Sequence, residues 1–139
     1  MSSIDSDTVR RRLLAMQELV AHLESLGQVN RDDLEDNLGL RLQVSMALAQ
    51  LVTLATEVNS HVGTATLGRA PADQRSSFAA MAEAGWIDQE LARSLRDSPG
   101  LRNVVLHEYV RVDLDIVAQA IPMAVTGFGE YIRQVARKL

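Results

Sequence analysis

The chain has 139 residues, 47% of them hydrophobic and none of them cysteine, and a formal net charge of -4. That length supports one domain with a real core and leaves little for a second. The missing cysteines exclude a disulfide framework and any thiolate metal site or nucleophile, and the acidic balance argues against a surface that coats nucleic acid nonspecifically. Residues 1–139 therefore read as a single domain. No apolar run approaches the roughly 20 residues a membrane span needs. Asp5 and Asp7 stand where a signal peptide would be basic and then apolar, so the expected location is cytoplasmic.

Asp5 and Ser6 can cap a first helix ending near Gly27, whose Val9, Leu13, Met16, Val20 and Leu23 step by four and three along one stripe. Arg10, Arg11 and Arg12 within it read as a solvated face rather than a nucleic-acid arm. Asn30 can cap the next helix, with Asp32 and Asp33 favourably placed in its first turn. An apolar pattern then runs through Leu34, Leu38, Leu42, Met46, Leu51, Val58 and Val62. Gly39 is the natural break, which gives a short helix followed by a long one over about 40–62. Near its end Asn59, Ser60 and His61 read as a polar helix terminus, with a wall of the active site as the alternative. Residues 63–72 are rich in Gly, Thr, Ala and Pro and read as a loop.

Gln74 to Ala84 forms a further helix closed by Gly85, with Phe78, Met81 and Ala82 inward. Trp86 reads as a core plug at the turn, and Asp88 starts a segment through Leu91 and Leu95. Ser98 and Pro99 have the form of a cap and first helical residue for the stretch LRNVVLHEYVRVD. Asp113 can cap the last helix, with Leu114, Val117, Ile121, Val125, Phe128, Ile132 and Val135 on one face and a bend at Pro122. No period-two alternation, internal repeat or low-complexity segment appears. The expected architecture is an all-α bundle of four main helices plus short ones.

The stretch from Leu101 to Asp113 organises the rest. Projected at about 100° per residue, Leu101, Val105, Leu106, Tyr109 and Val110 share one arc, and Asn103, His107 and Arg111 lie together beside it. Arg102 falls inside the apolar arc. A guanidinium cannot shed its charge there, so the expectation is an anionic partner or a seam between subunits. The region is also locally basic. From Arg93 to Arg111 the arginines are Arg93, Arg96, Arg102 and Arg111, against Asp97 and Glu108. Arginine supplies nearly all the cationic side chains of the chain, which suits forked phosphate contact, although genome composition produces the same bias.

RNVVLHEY resembles the signature of HepT-like toxins, the HEPN-domain ribonucleases of toxin–antitoxin pairs: an arginine, a spacer, a histidine, any residue and a tyrosine. The resemblance extends from about Leu38 to the C-terminus through MAEAGWIDQELARSL and VDLDIV. It departs from the family at Ser98, Pro99 and Gly100, where a more regular helical lead-in is usual, and at Pro122. It implies a HEPN-type up-and-down bundle and a homodimer with a composite, metal-independent site at the seam, with no cofactor. It also implies an endoribonuclease toxin of a type VII pair, acting on cellular RNA such as transfer RNA. Its partner would be a minimal nucleotidyltransferase antitoxin (MNT) that adenylylates Tyr109.

The residue chemistry is compatible with that reading. Metal-free RNA cleavage needs a base for the 2′-hydroxyl proton, an acid for the leaving 5′-oxygen, and positive charge at phosphorus. Histidine titrates near neutrality and arginine carries a fixed fork, so Arg102 and His107 are the candidate catalytic residues. One chain supplies one motif histidine, since His22 and His61 lie on other segments; a two-fold dimer would supply the second. Asn103, one turn before His107, is a candidate to orient the imidazole or donate to phosphate, against the reading of a plain surface residue. Arg96 and Arg111 are candidates for RNA contact. Tyr109 on spacing alone reads as a core or seam tyrosine. No His, Asp or Glu set around the motif has recognisable ligand spacing. Two alternatives stay open: a nucleotide- or RNA-binding dimer without turnover, and a dimerisation partner for the nucleotidyltransferase.

Overall fold

The computed structural model describes residues 3–107 and 110–139, and among them the only regular secondary structure is helical. Seven helices follow in order: α1 (Ser6–Ser25), α2 (Arg31–Asp36), α3 (Leu38–Leu67), α4 (Gln74–Glu83), α5 (Gln89–Leu95), α6 (Ser98–His107) and α7 (Leu114–Ala136). Side-chain caps set most of the starts. Asp5 accepts from the backbone N–H groups of Asp7 and Thr8, Asn30 and Asp33 form a reciprocal capping box, and Asp73, Asp88 and Asp113 cap α4, α5 and α7. Gly27, Gly68 and Gly85 carry positive φ where α1, α3 and α4 give way to turns.

Helix α3 is the axle of the bundle, with α1, α2, α4, α6 and α7 packed around it. From Ala47 onward it buries residues on most of its circumference: Ala47, Leu48, Ala49, Leu51, Val52, Ala55, Val58, Asn59, Val62 and Gly63. The small members let neighbours approach closely, and at Gly63 a Cβ would meet Pro71 Cγ at 3.4 Å. Helix α1 presents Val9, Leu13, Met16 and Leu23, and α7 presents Val117, Ile121, Phe128, Tyr131, Ile132 and Val135. Each fully buried Leu, Val, Phe or Met contributes on the order of 1.5–3 kcal/mol relative to exposure. Helix α5 is tied to α7 by a reciprocal pair: Asp88 N donates to Gln134 Oε1 and Gln134 Nε2 donates to Asp88 Oδ2, both at 2.8 Å.

Four expectations are corrected here. The break between the second and third helices falls at Asn37, not Gly39, because the Asn37 side chain caps α3 by accepting from Leu40 N. Leu38, Leu42 and Met46 are about half exposed, while Val44 and Leu48 face the core, because the step of five from Met46 to Leu51 carries the apolar run to the other side of one continuous helix. Helix α3 also continues through Gly63 to Leu67 and is closed by left-handed Gly68, leaving a shorter loop than 63–72. Finally, this helix is long and apolar enough by length and composition to cross a membrane, contrary to the reading of the sequence. Its second half is occupied instead in packing against the other helices.

The polar residues near the end of α3 have structural partners. His61 Nε2 accepts from the backbone N–H of Asp5 at 2.9 Å and pins the start of α1, while Asn59 is fully buried. Trp86 is buried at the α4–α5 junction as a plug. Helix α7 runs unbroken through Pro122. Proline has no N–H to give to the carbonyl one turn earlier, so that bond is missing.

Candidate active site

Helix α6 carries the motif. It follows α5 almost directly: the Asp97 carbonyl accepts from Gly100 N and Leu101 N, and Ser98, expected as a cap, lies in the first turn and donates to the Leu95 carbonyl at 2.7 Å. Pro99 and Val105 are its buried residues, and it packs on α3 and α4. Between α6 and α7 lies a cavity of about 670 Å³ lined mainly by apolar side chains, among them Leu101, Ile116, Met123 and Phe128. None of the described candidate site residues lines it.

Arg102 is half-buried. Its Nη2 donates to Gln74 Oε1 and its Nη1 to Thr53 Oγ1 at 3.4 Å, so the fork points at α3 and α4. The expected anion is not what meets it: among the described residues no carboxylate lies within ion-pair distance of Arg102, and both partners are neutral. A guanidinium held by neutral acceptors keeps its charge and most of its donors for another ligand.

His107 is exposed at the end of α6, and Asn103 is exposed one turn before it. Arg102 and His107 are five residues apart, which on a helix is about 140° around the axis and roughly 7.5 Å along it. One chain therefore presents the two in different directions. Arg111 does not share a helical face with Asn103 and His107; it lies in the turn before α7, exposed like Val110. Arg96 is exposed at the C-cap of α5. Glu108 and Tyr109 lie outside the described residues. Among the described residues no group of three His, Asp or Glu side chains is placed to hold a metal ion.

Gln74 and Thr53 gave no sign in the sequence. They stand 28 and 49 residues from Arg102, and only the packing of α3 and α4 against α6 brings them there.

A family model described as Ribonuclease HepT-like matches residues 16–135. The chain belongs to the ribonuclease HepT-like family. Within that family it is 26% identical over 136 residues to the tRNA nuclease HepT of Aphanizomenon flos-aquae, covering 97% of this chain and 92% of that protein. It is 27% identical over 93 residues to the mRNA nuclease HepT of Shewanella oneidensis, covering 67% of this chain and 70% of that one. A solved structure of the tri-AMPylated Shewanella oneidensis HEPN toxin in complex with its MNT antitoxin superposes with a TM-score of 0.82 at 20% identity, over 94% of this chain and 98% of that chain. At that identity the likeness bears on fold, and it confirms the HEPN-type all-α bundle.

Proposed function

We propose that this chain is the toxin of a type VII toxin–antitoxin pair, an endoribonuclease that cleaves cellular RNA without metal. The observation that carries the reading is Arg102, held by two neutral oxygens with its charge unspent, about 1.4 turns from an exposed His107 on the motif helix. Relatives that align with most or all of the chain are a tRNA nuclease and an mRNA nuclease, which supports RNA as substrate and transfer RNA as one class of it.

The chemistry assigns each group one task. One His107 takes the proton from the 2′-hydroxyl, the 2′-oxygen attacks phosphorus, the bond from phosphorus to O5′ breaks, and the partner's His107 returns a proton to O5′. Arg102 offsets the charge that builds on the non-bridging oxygens. Asn103, exposed beside His107, serves to orient the imidazole or donate to phosphate, and Arg96 and Arg111 serve RNA contact.

The reading requires a homodimer, and α3 offers a seam. Leu38, Leu42 and Met46 form an exposed apolar stripe. At 100° per residue Thr53 falls inside the same arc of about 80°, so Arg102, which touches Thr53, stands further along the face that the stripe leaves open. A second copy laid against that face would cover the stripe and bring two motif helices together.

The MNT antitoxin bound to the AMPylated Shewanella toxin supports a nucleotidyltransferase partner here. The acceptor of adenylate in this reading is Tyr109, two residues after His107. Each transferred group adds phosphodiester charge and a nucleoside beside the motif, enough to occupy the anion site and exclude substrate phosphate. The direct test of the function is cleavage of transfer RNA by the wild type and by His107→Ala. RNA binding without cleavage by the wild type would point instead to a non-catalytic domain.

A further inference from the structure

Arg102 is held from outside its own helix, and the residue that holds it is the end of a hydrogen-bond chain that begins in the core. Tyr131 of α7, fully buried, donates to Asn59 Oδ1 at 2.5 Å. Asn59 of α3, also fully buried, donates through Nδ2 to Ser77 Oγ at 3.0 Å. Ser77 of α4, 2% exposed, donates to the Gln74 carbonyl at 2.6 Å. Gln74 accepts from Arg102 through Oε1. Each of the three buried residues donates to the next, and Gln74 accepts at both ends, at its backbone carbonyl from Ser77 and at its side chain from Arg102; breaking a link among Tyr131, Asn59 and Ser77 strands a buried polar group, so the first turn of α4 is fixed to the core. Next to Gln74, Arg75 Nε bonds Asp97 Oδ1 at 3.0 Å, so consecutive residues of α4 grip α6 at its start and at Arg102.

We infer that Gln74 is a positioning residue for Arg102, anchored through Ser77, Asn59 and Tyr131, and that it aims the guanidinium fork without spending its charge. The inference rests on the ribonuclease reading above. The neutrality of the amide is its central feature. A carboxylate at the same point would orient Arg102 equally well but offset the charge that phosphate requires.

Two substitutions of the exposed Gln74 separate these effects. Gln74→Met removes the acceptor at similar volume; Gln74→Glu keeps an acceptor and adds a charge. With purified protein and transfer RNA, Gln74→Met is expected to lower the single-turnover rate about 10- to 100-fold, with KM changed less than about threefold. Gln74→Glu is expected to lower the rate by a similar factor and to raise KM as well. An activity-independent readout is the Nε–H resonance of Arg102 in a nitrogen-15 NMR spectrum, identified by its loss in Arg102→Lys. It should shift and broaden in Gln74→Met, stay narrow in Gln74→Glu, and broaden in Ser77→Ala, where Gln74 is intact but its anchor is cut.

Cleavage by Gln74→Met within about twofold of wild type, with His107→Ala inactive, overturns this inference alone. An unmoved Arg102 resonance in Gln74→Met overturns it too. If the wild type cleaves no RNA and matches His107→Ala, the ribonuclease reading has failed and the role of Gln74 falls with it.

Discussion

A guanidinium on a partly apolar helix face is costly unless oxygen atoms meet it, and at Arg102 the oxygens are those of an amide and a hydroxyl. What the site keeps is the fork and the charge together. Arg102→Lys preserves only the charge, so a loss in kcat/KM of about tenfold or more is expected, read in a transfer RNA cleavage assay, while thermal stability changes little. Tyr109 supplies a second prediction at this scale. Tyr109→Phe should keep most of the ribonuclease activity yet escape neutralisation by an active nucleotidyltransferase partner, because it lacks the hydroxyl that would receive adenylate. Intact-protein mass after incubation with that partner and ATP decides the matter. Equal adenylate gain in wild type and Tyr109→Phe would assign the modification elsewhere.

Among the elements, those with a strong cap and a regular apolar step were legible from sequence. Helices α1, α4, α5 and α7 start at Asp5, Asp73, Asp88 and Asp113, and three of those four caps are evident in the sequence beside a stripe stepping by three and four. The misreadings have local causes. Gly39 is the conspicuous helix breaker, but the Asn37 side chain caps α3, and the step of five from Met46 to Leu51 leaves Leu38, Leu42 and Met46 on the outward side. Gly63 has the form of a terminator, and nothing in the sequence shows that Pro71 packs against it inside a helix. A single helical phase puts Arg111 beside His107, but the chain has already turned by that residue. Gln74 and Thr53 depend on tertiary packing alone, and no local pattern encodes that.

The buried network between α3, α4 and α7 gives a prediction of its own. Burial pushes the Tyr131 phenol well above its ordinary value of 10.0. The folded state therefore holds this proton more tightly than the unfolded chain does. Its contribution is fully present below the unfolded value and declines as pH rises past about 10. Melting temperatures taken from pH 7 upward should fall beyond that point, and Tyr131→Phe should flatten this alkaline limb. At neutral pH the same substitution should cost about 1–3 kcal/mol, because the Asn59 carbonyl loses its donor inside the core. The acid limb has the opposite sign. Asp5, Asp73, Asp88 and Glu130 are held below the usual carboxylate range, chiefly by hydrogen bonds from Thr8, Ser76, Leu91 and Gln134. Their contribution is present above about pH 4 and is lost as pH falls through the lowered values.

At the scale of the molecule, the bundle leaves one long helix half-dressed: α3 buries its second half and exposes an apolar stripe on its first. With Arg102 and His107 facing different ways on α6, a second copy is the simplest means of completing both the packing and the chemistry. Leu42→Asp combined with Met46→Asp should convert a dimer to a monomer by light scattering at micromolar concentration and abolish cleavage. The monomer should lose little intrinsic stability, since exposed substitutions away from special contacts usually shift it by about 0.5 kcal/mol or less. Full activity in a monomer would remove the case for a shared site.

That the motif side chains of this bundle cleave RNA on their own is tested most directly by incubating transfer RNA with the wild type and with His107→Ala, each in excess EDTA, and resolving the products on a denaturing gel. Cleavage by the wild type at an undiminished rate and none by His107→Ala is expected. Loss of wild-type cleavage in EDTA with recovery on adding magnesium or manganese, or cleavage by His107→Ala at the wild-type rate, would contradict it.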